Sequence, residues 1–128
     1  MRLFIADADQ ELRLGLQLLL HQEPGMTVVG IAVNTTSLLA QVTAAKPDVL
    51  LLDWHLPGRP PTEVLADLNG LERRPQIIVL SVRPETEREA KAAGADGFFA
   101  KTASADRLVA ILRRMRSPPA AGVAVEDG

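Results

Sequence analysis

Short apolar runs alternate with amphipathic stretches along this chain, and the two kinds of segment differ in period. Val49-Leu50-Leu51-Leu52 is a continuous run of branched apolar residues that ends on a carboxylate, Asp53. A run without alternation predicts a strand covered on both faces, as in a parallel sheet. Residues 3–6, 27–32, 77–80 and 97–100 predict further short strands. Between them, apolar residues recur at helical spacing. Leu12, Leu16, Leu19 and Leu20 mark one face of a helix over 10–22, stopped by Glu23-Pro24-Gly25. A helix over 36–45 turns Leu38, Leu39 and Val42 inward and closes at Lys46-Pro47. The loop Arg59-Pro60-Pro61-Thr62 leads into a third helix with Val64, Leu65, Leu68 and Leu71 on one face. Pro84 in the first helical position and Glu85 open a fourth helix, which Gly94 caps. Ser104 caps a fifth, in which Leu108, Ile111, Leu112 and Met115 recur.

Strand and helix therefore alternate five times. The expected fold class is α/β, a (βα)5 doubly wound, five-stranded parallel sheet with right-handed crossovers and helices on both faces, a three-layer sandwich. The expected globular domain covers residues 1–116. Residues 117–128 are rich in Pro, Ala and Gly without periodicity and predict a flexible C-terminal tail or linker.

The 128 residues suit one domain, and 47% hydrophobic with 23% charged residues is ordinary for a globular chain. Aromatics make up 3%, with one Trp and no Tyr, so the core is expected to be aliphatic. A formal net charge of −2 leaves no electrostatic footprint for nucleic acid or an anionic membrane. The absence of cysteine excludes a disulfide scaffold and a thiolate metal site, and suits a reducing cytoplasm. The apolar start, Leu3-Phe4-Ile5-Ala6, is too short for a signal peptide or membrane span. Arg113, Arg114 and Arg116 fall in a last helical turn, where cations complement the helix dipole, and no helix-turn-helix follows. Direct nucleic-acid binding is not expected. His21 at the end of the first helix is explained by the same dipole.

In open α/β sheets, ligands gather at the carboxyl edge of the strands. The first polar groups after the apolar runs fall at that edge: Asp7 and Asp9, Asp53, Ser81 and Lys101. Carboxylates, a hydroxyl and an ammonium in one place suit phosphoryl transfer. A carboxylate can be the nucleophile, Mg2+ takes oxygen ligands, and the cation and hydroxyl stabilise the transferring group.

Asp7, Asp53 within DWHLPG, Ser81 after IIVL, and Lys101 after GADGFFA, in this order at these strand ends, resemble the receiver domain of bacterial two-component response regulators. The resemblance runs from Arg2 to about Arg116. It implies a CheY-like (flavodoxin-like) fold with Asp53 as phosphoacceptor and a sensor histidine kinase as donor. It further implies Mg2+ held by Asp7, Asp53 and the His55 backbone carbonyl. Ser81 and Phe98 would form the switch pair, and Lys101 would meet the phosphoryl group. Phe98 read without the resemblance is a core residue.

The departures from the family pattern bear on the metal. The family has two adjacent acids after the first strand, whereas this chain has Asp7 followed by Ala8. Unit charges ~4 Å apart interact by roughly 4 kcal/mol at an effective dielectric near ~20, so a large fall in Mg2+ affinity is expected. Asp9 is the candidate substitute, since alternate residues of an extended segment point the same way. Val82 narrows access to Asp53. Thr102 replaces a proline, so no cis peptide is expected after Lys101.

The leading expectation is a phosphorylation-controlled switch that governs partner binding or homodimerisation, not an enzyme beyond its own phosphorylation and dephosphorylation. Ala8 supports a rival, a phosphorylation-independent receiver acting as a protein-interaction module. A third reading takes Asp7-Ala8-Asp9 as the DxD motif of a haloacid-dehalogenase-type phosphatase. Gln10-Glu11 and the lack of a later acidic pair at the right edge argue against it.

Overall fold

The computed structural model describes residues 1–116. The predicted tail, 117–128, lies outside the described residues. The elements follow the predicted alternation: β1 Arg2–Ala6, α1 Gln10–His21, β2 Thr27–Ala32, α2 Leu38–Ala45, β3 Val49–Asp53, α3 Pro61–Asn69, β4 Gln76–Ser81, α4 Thr86–Ala92, β5 Gly97–Ala100 and α5 Ala105–Arg116. The strands form one sheet in the order β2-β1-β3-β4-β5, and every neighbouring pair is parallel. The chain steps outward from β1 to β2, then crosses back to β3 on the other side. The β1/β3 boundary is therefore the switch point, where a crevice opens beyond the strand ends.

Alternate residues of each strand feed opposite layers of core. Phe4, Leu50, Leu52, Ile77 and Val79 pack with Leu38 and Val42 of α2, Val64, Leu65 and Leu68 of α3, and Ala90 of α4. Leu3, Ile5, Leu51, Ile78 and Leu80 pack with Leu16 and Leu20 of α1 and with Leu108, Val109 and Leu112 of α5. All five residues of β3 are buried, which is why its sequence does not alternate.

The helix ends show where local signals hold and where they yield. α4 closes as a Schellman motif: Gly94 has φ +105, its N–H donates to the Lys91 carbonyl, and the Ala95 N–H donates to that of Ala90. The same helix starts later than predicted. Pro84 and Glu85 form a turn before it, in which the Thr86 N–H donates to the Arg83 carbonyl. α2 also starts two residues late, because Ser37 adopts a left-handed conformation at φ 67. Leu39, predicted to face inward, is exposed: Leu38 and Val42, one turn apart, occupy the single face that this short helix buries. Leu71 lies beyond the end of α3 yet still packs, half-buried, against the core. Pro61 belongs to the first turn of α3, not to the loop.

Candidate functional site

Because the strands are parallel, their carboxyl ends share one edge. Asp7 directly follows β1, Asp53 ends β3, Ser81 ends β4 and Lys101 directly follows β5. The loops there are fixed by backbone bonds to the neighbouring strand. Trp54 N–H donates to the Leu80 carbonyl at 2.9 Å, and Lys101 N–H to the Ser81 carbonyl at 2.7 Å. Among the described residues no peptide bond is cis, the one after Lys101 included.

The two carboxylates are buried and share one cation. Lys101 Nζ lies 2.7 Å from Asp7 Oδ2 and 3.4 Å from Asp53 Oδ1. Each aspartate also closes its own turn: Asp7 Oδ1 accepts from Asp9 N–H and Asp53 Oδ1 from His55 N–H, both at 2.9 Å. Asp7 Oδ2, though paired with Lys101 by distance, makes no hydrogen bond of acceptable geometry. Coulomb attraction follows distance, so the contact is an ion pair all the same. Burial pushes the Asp7 carboxyl above its usual range; Lys101 and the Asp9 N–H pull it back in part, while the Asp53 charge adds to the rise.

Asp9 does not join this cluster. It caps α1, with Oδ1 accepting from the N–H groups of Glu11 and Leu12 at 3.0 and 3.2 Å. A helix N-terminus offers unpaired donors at the point where Asp9 emerges, and these outcompete a turn back toward Asp7. Ala8 is exposed. Among the described residues, no group of three or more His, Cys, Asp or Glu side chains is placed to hold a metal. Two carboxylates remain, along with the His55 carbonyl, which accepts no backbone hydrogen bond among the described residues. These oxygens fit Mg2+, which keeps several waters and needs only one or two protein carboxylates. Asp7 Oδ2, buried and ion-paired but without a hydrogen bond of acceptable geometry, is the atom that supports the fit. Lys101 competes with a metal for the same atom.

Ser81 is fully buried. Its hydroxyl lies 3.1 Å from that of Thr86 and accepts from Arg83 N–H at 3.0 Å. Phe98 is half-buried against the core layer beneath α3 and α4, next to Val79 in the sheet register. Trp54 is buried, whereas Val82 is 56% exposed and leans into solvent. The His55 side chain is exposed.

Two contributors carry no signal in the sequence. Thr35, in the loop after β2, donates its N–H to the Pro57 carbonyl and accepts from Arg59 N–H at its hydroxyl, clamping the loop after Asp53. Gly58, at φ +124, is required there, because a Cβ would collide with the Thr35 hydroxyl. Thr86 is the second. A groove of about 710 Å3, lined by Leu14, Leu18, His21 and Met26, lies at the opposite edge of the sheet, where β2 begins.

The response regulator receiver domain family matches residues 3–113. The chain belongs to this family. The receiver is 36% identical over 104 residues to the DNA-binding transcriptional activator DevR/DosR of Mycobacterium tuberculosis, covering 78% of this chain and 47% of the relative. It is 35% identical over 116 residues to the transcriptional regulatory protein YvfU of Bacillus subtilis, covering 88% and 58%. The chain thus spans about half the length of these relatives. Among solved structures, the signal receiver domain of a NarL response regulator from Mycobacterium tuberculosis superposes with a TM-score of 0.80 at 28% identity, over 91% of this chain and 96% of that one.

The family confirms the CheY-like fold and favours a two-component receiver over both the phosphorylation-independent module and the dehalogenase-type phosphatase. Receivers are generally not enzymes, and their phosphorylation generally depends on Mg2+. Among the described residues, no helix is long and apolar enough to cross a membrane.

Proposed function

We propose that this receiver accepts a phosphoryl group on Asp53 and that the acylphosphate changes which partner, or second copy, it binds. The observation that carries the reading is the trio at the switch point: buried Asp53, with buried Asp7 beside it and a partly buried Lys101 in contact with both. A carboxylate oxygen of Asp53 attacks phosphorus, and the P–N bond of the donor phosphohistidine breaks. The electron pair leaves with the imidazole. The His55 N–H keeps one Asp53 oxygen in place, which leaves the other free to attack.

Lys101 answers the charge of the transferring group from a site only 14% exposed, where screening is weak. Asp7, Asp53 and the His55 carbonyl would hold Mg2+, which supplies further charge neutralisation when bound. Ser81 would donate its hydroxyl to a phosphoryl oxygen, and Phe98 would follow by changing rotamer. A sensor histidine kinase is the proposed donor.

Intact mass after incubation with acetyl phosphate and Mg2+ tests the acceptor. One phosphoryl group is expected on the wild type and none on Asp53→Asn. Trp54 is the only tryptophan and adjoins the site, so its fluorescence reports Mg2+. Weak quenching is expected in the wild type up to millimolar Mg2+, with stronger quenching in Ala8→Asp. No phosphoryl gain in either the wild type or Ala8→Asp would return the chain to the interaction-module reading.

A further inference from the structure

The proposed function asks the Ser81 hydroxyl to donate toward Asp53. In this structure that hydroxyl is engaged on the α4 side, with both of its contacts inside one short turn. A serine hydroxyl has one proton and two acceptor sites. The Arg83 N–H fills one acceptor site. If Ser81 donates to Thr86, its only proton is committed. If Thr86 donates to Ser81, both acceptor sites are filled and the rotamer is pinned. In either case the 3.1 Å bond to Thr86 holds the Ser81 oxygen on the α4 side, and moving it toward Asp53 opens that bond.

Opening has a cost that falls on Thr86. Its side chain is only 6% exposed, and Ser81 is the one hydrogen-bond partner of its hydroxyl among the described residues. A buried hydroxyl that loses its partner is penalised, and a hydroxyl that never had one is not. Thr86 is also the first residue of α4, a seven-residue helix that buries only Thr86 and Ala90. The cost of opening therefore falls on the first turn of a short helix whose two buried side chains are both small.

We propose that Thr86 is a positioning residue whose hydroxyl latches Ser81 to α4 and thereby sets how readily the receiver switches. The proposal rests on the reading of Asp53 as acceptor and Ser81 as its hydroxyl partner. Two measurements on the full chain separate its failure from the failure of that reading.

The first is titration with beryllofluoride and Mg2+, followed by Trp54 fluorescence. Thr86→Val keeps the shape and removes the hydroxyl, and should bind about fivefold more tightly, the worth of one net hydrogen bond. Thr86→Ser should match the wild type, and in a Ser81→Ala background Thr86→Val should change nothing. A lost packing contact would lower thermal stability without tightening the ligand. Equal or weaker binding by Thr86→Val overturns the latch.

The second measurement is the Ser81 Hα–Hβ coupling without beryllofluoride. One rotamer is expected in the wild type and in Thr86→Ser, and an averaged value in Thr86→Val. An unchanged coupling in Thr86→Val overturns the latch. If no form of the protein takes beryllofluoride, the acceptor reading fails, and the coupling still decides the latch.

Discussion

Asp7 illustrates the cost of placing a carboxylate at the buried carboxyl edge of the sheet. It is fully buried, and its carboxyl is raised above the ordinary 3.8 chiefly by that burial. Between 3.8 and the raised value, the folded protein holds a proton that the unfolded chain has released. The Asp7 contribution to stability therefore falls as pH rises through that interval, and the cost of the ionised group is complete above it. Asp7→Asn removes the cost. The variant should unfold at a higher temperature than the wild type at neutral pH, and the gap should close as pH falls toward 3.8. A less stable Asn variant at neutral pH would mean that pairing with Lys101 outweighs burial. Phosphorylation of this variant should drop even as it gains stability.

At the scale of elements, the helix termini decide which polar residues are available for chemistry. Asp9 was a candidate ligand because it follows a strand beside Asp7. The same position begins α1, and the cap takes it. Asp9→Ala should cost about 1 kcal/mol in urea unfolding, the usual worth of such a cap. Mg2+ quenching of Trp54 should not change in this variant. A loss of Mg2+ binding without loss of stability would put Asp9 back among the ligands. Ser104 stands before α5, where its carbonyl, and not its side chain, accepts from Arg107 N–H.

Across the whole molecule, β3 links the two cores and the site. Leu50 and Leu52 face one layer, Leu51 faces the other, and Asp53 emerges at the end. Leu51 is fully buried, so Leu51→Ala should cost about 2–5 kcal/mol. That is a large part of the ~5–15 kcal/mol that holds a typical domain together. Urea titration should show a lower midpoint with an unchanged slope. A change in slope would mean that the substitution alters the compactness of the unfolded or folded state or that the variant no longer unfolds as one unit.

The five strands, the parallel class and the edge that carries Asp7, Asp53, Ser81 and Lys101 were legible in the sequence. Their signals are local: a run of Val and Leu without alternation needs cover on both faces, and the polar residue that ends it must lie at a strand end. Two placements differ from the simple pattern because two local demands compete for one group. The donors at the start of α1 drew Asp9 away from Asp7, and the single buried face of α2 left Leu39 outside. Other features depend on segments far apart in sequence. Lys101 meets Asp7 across ninety-four positions of chain, and Thr35 closes over the loop after Asp53 from the loop after β2. No period or turn signal encodes such contacts, because they form only once the sheet order has been set. The sequence by itself determined which groups stand at the carboxyl edge. The tertiary structure decided that Lys101 bridges both aspartates, that Asp7 is stripped of water, and that the Ser81 hydroxyl is held by Thr86. Local sequence fixes periodicity and strand ends, whereas distance, burial and hydrogen-bond choice are properties of the packed whole.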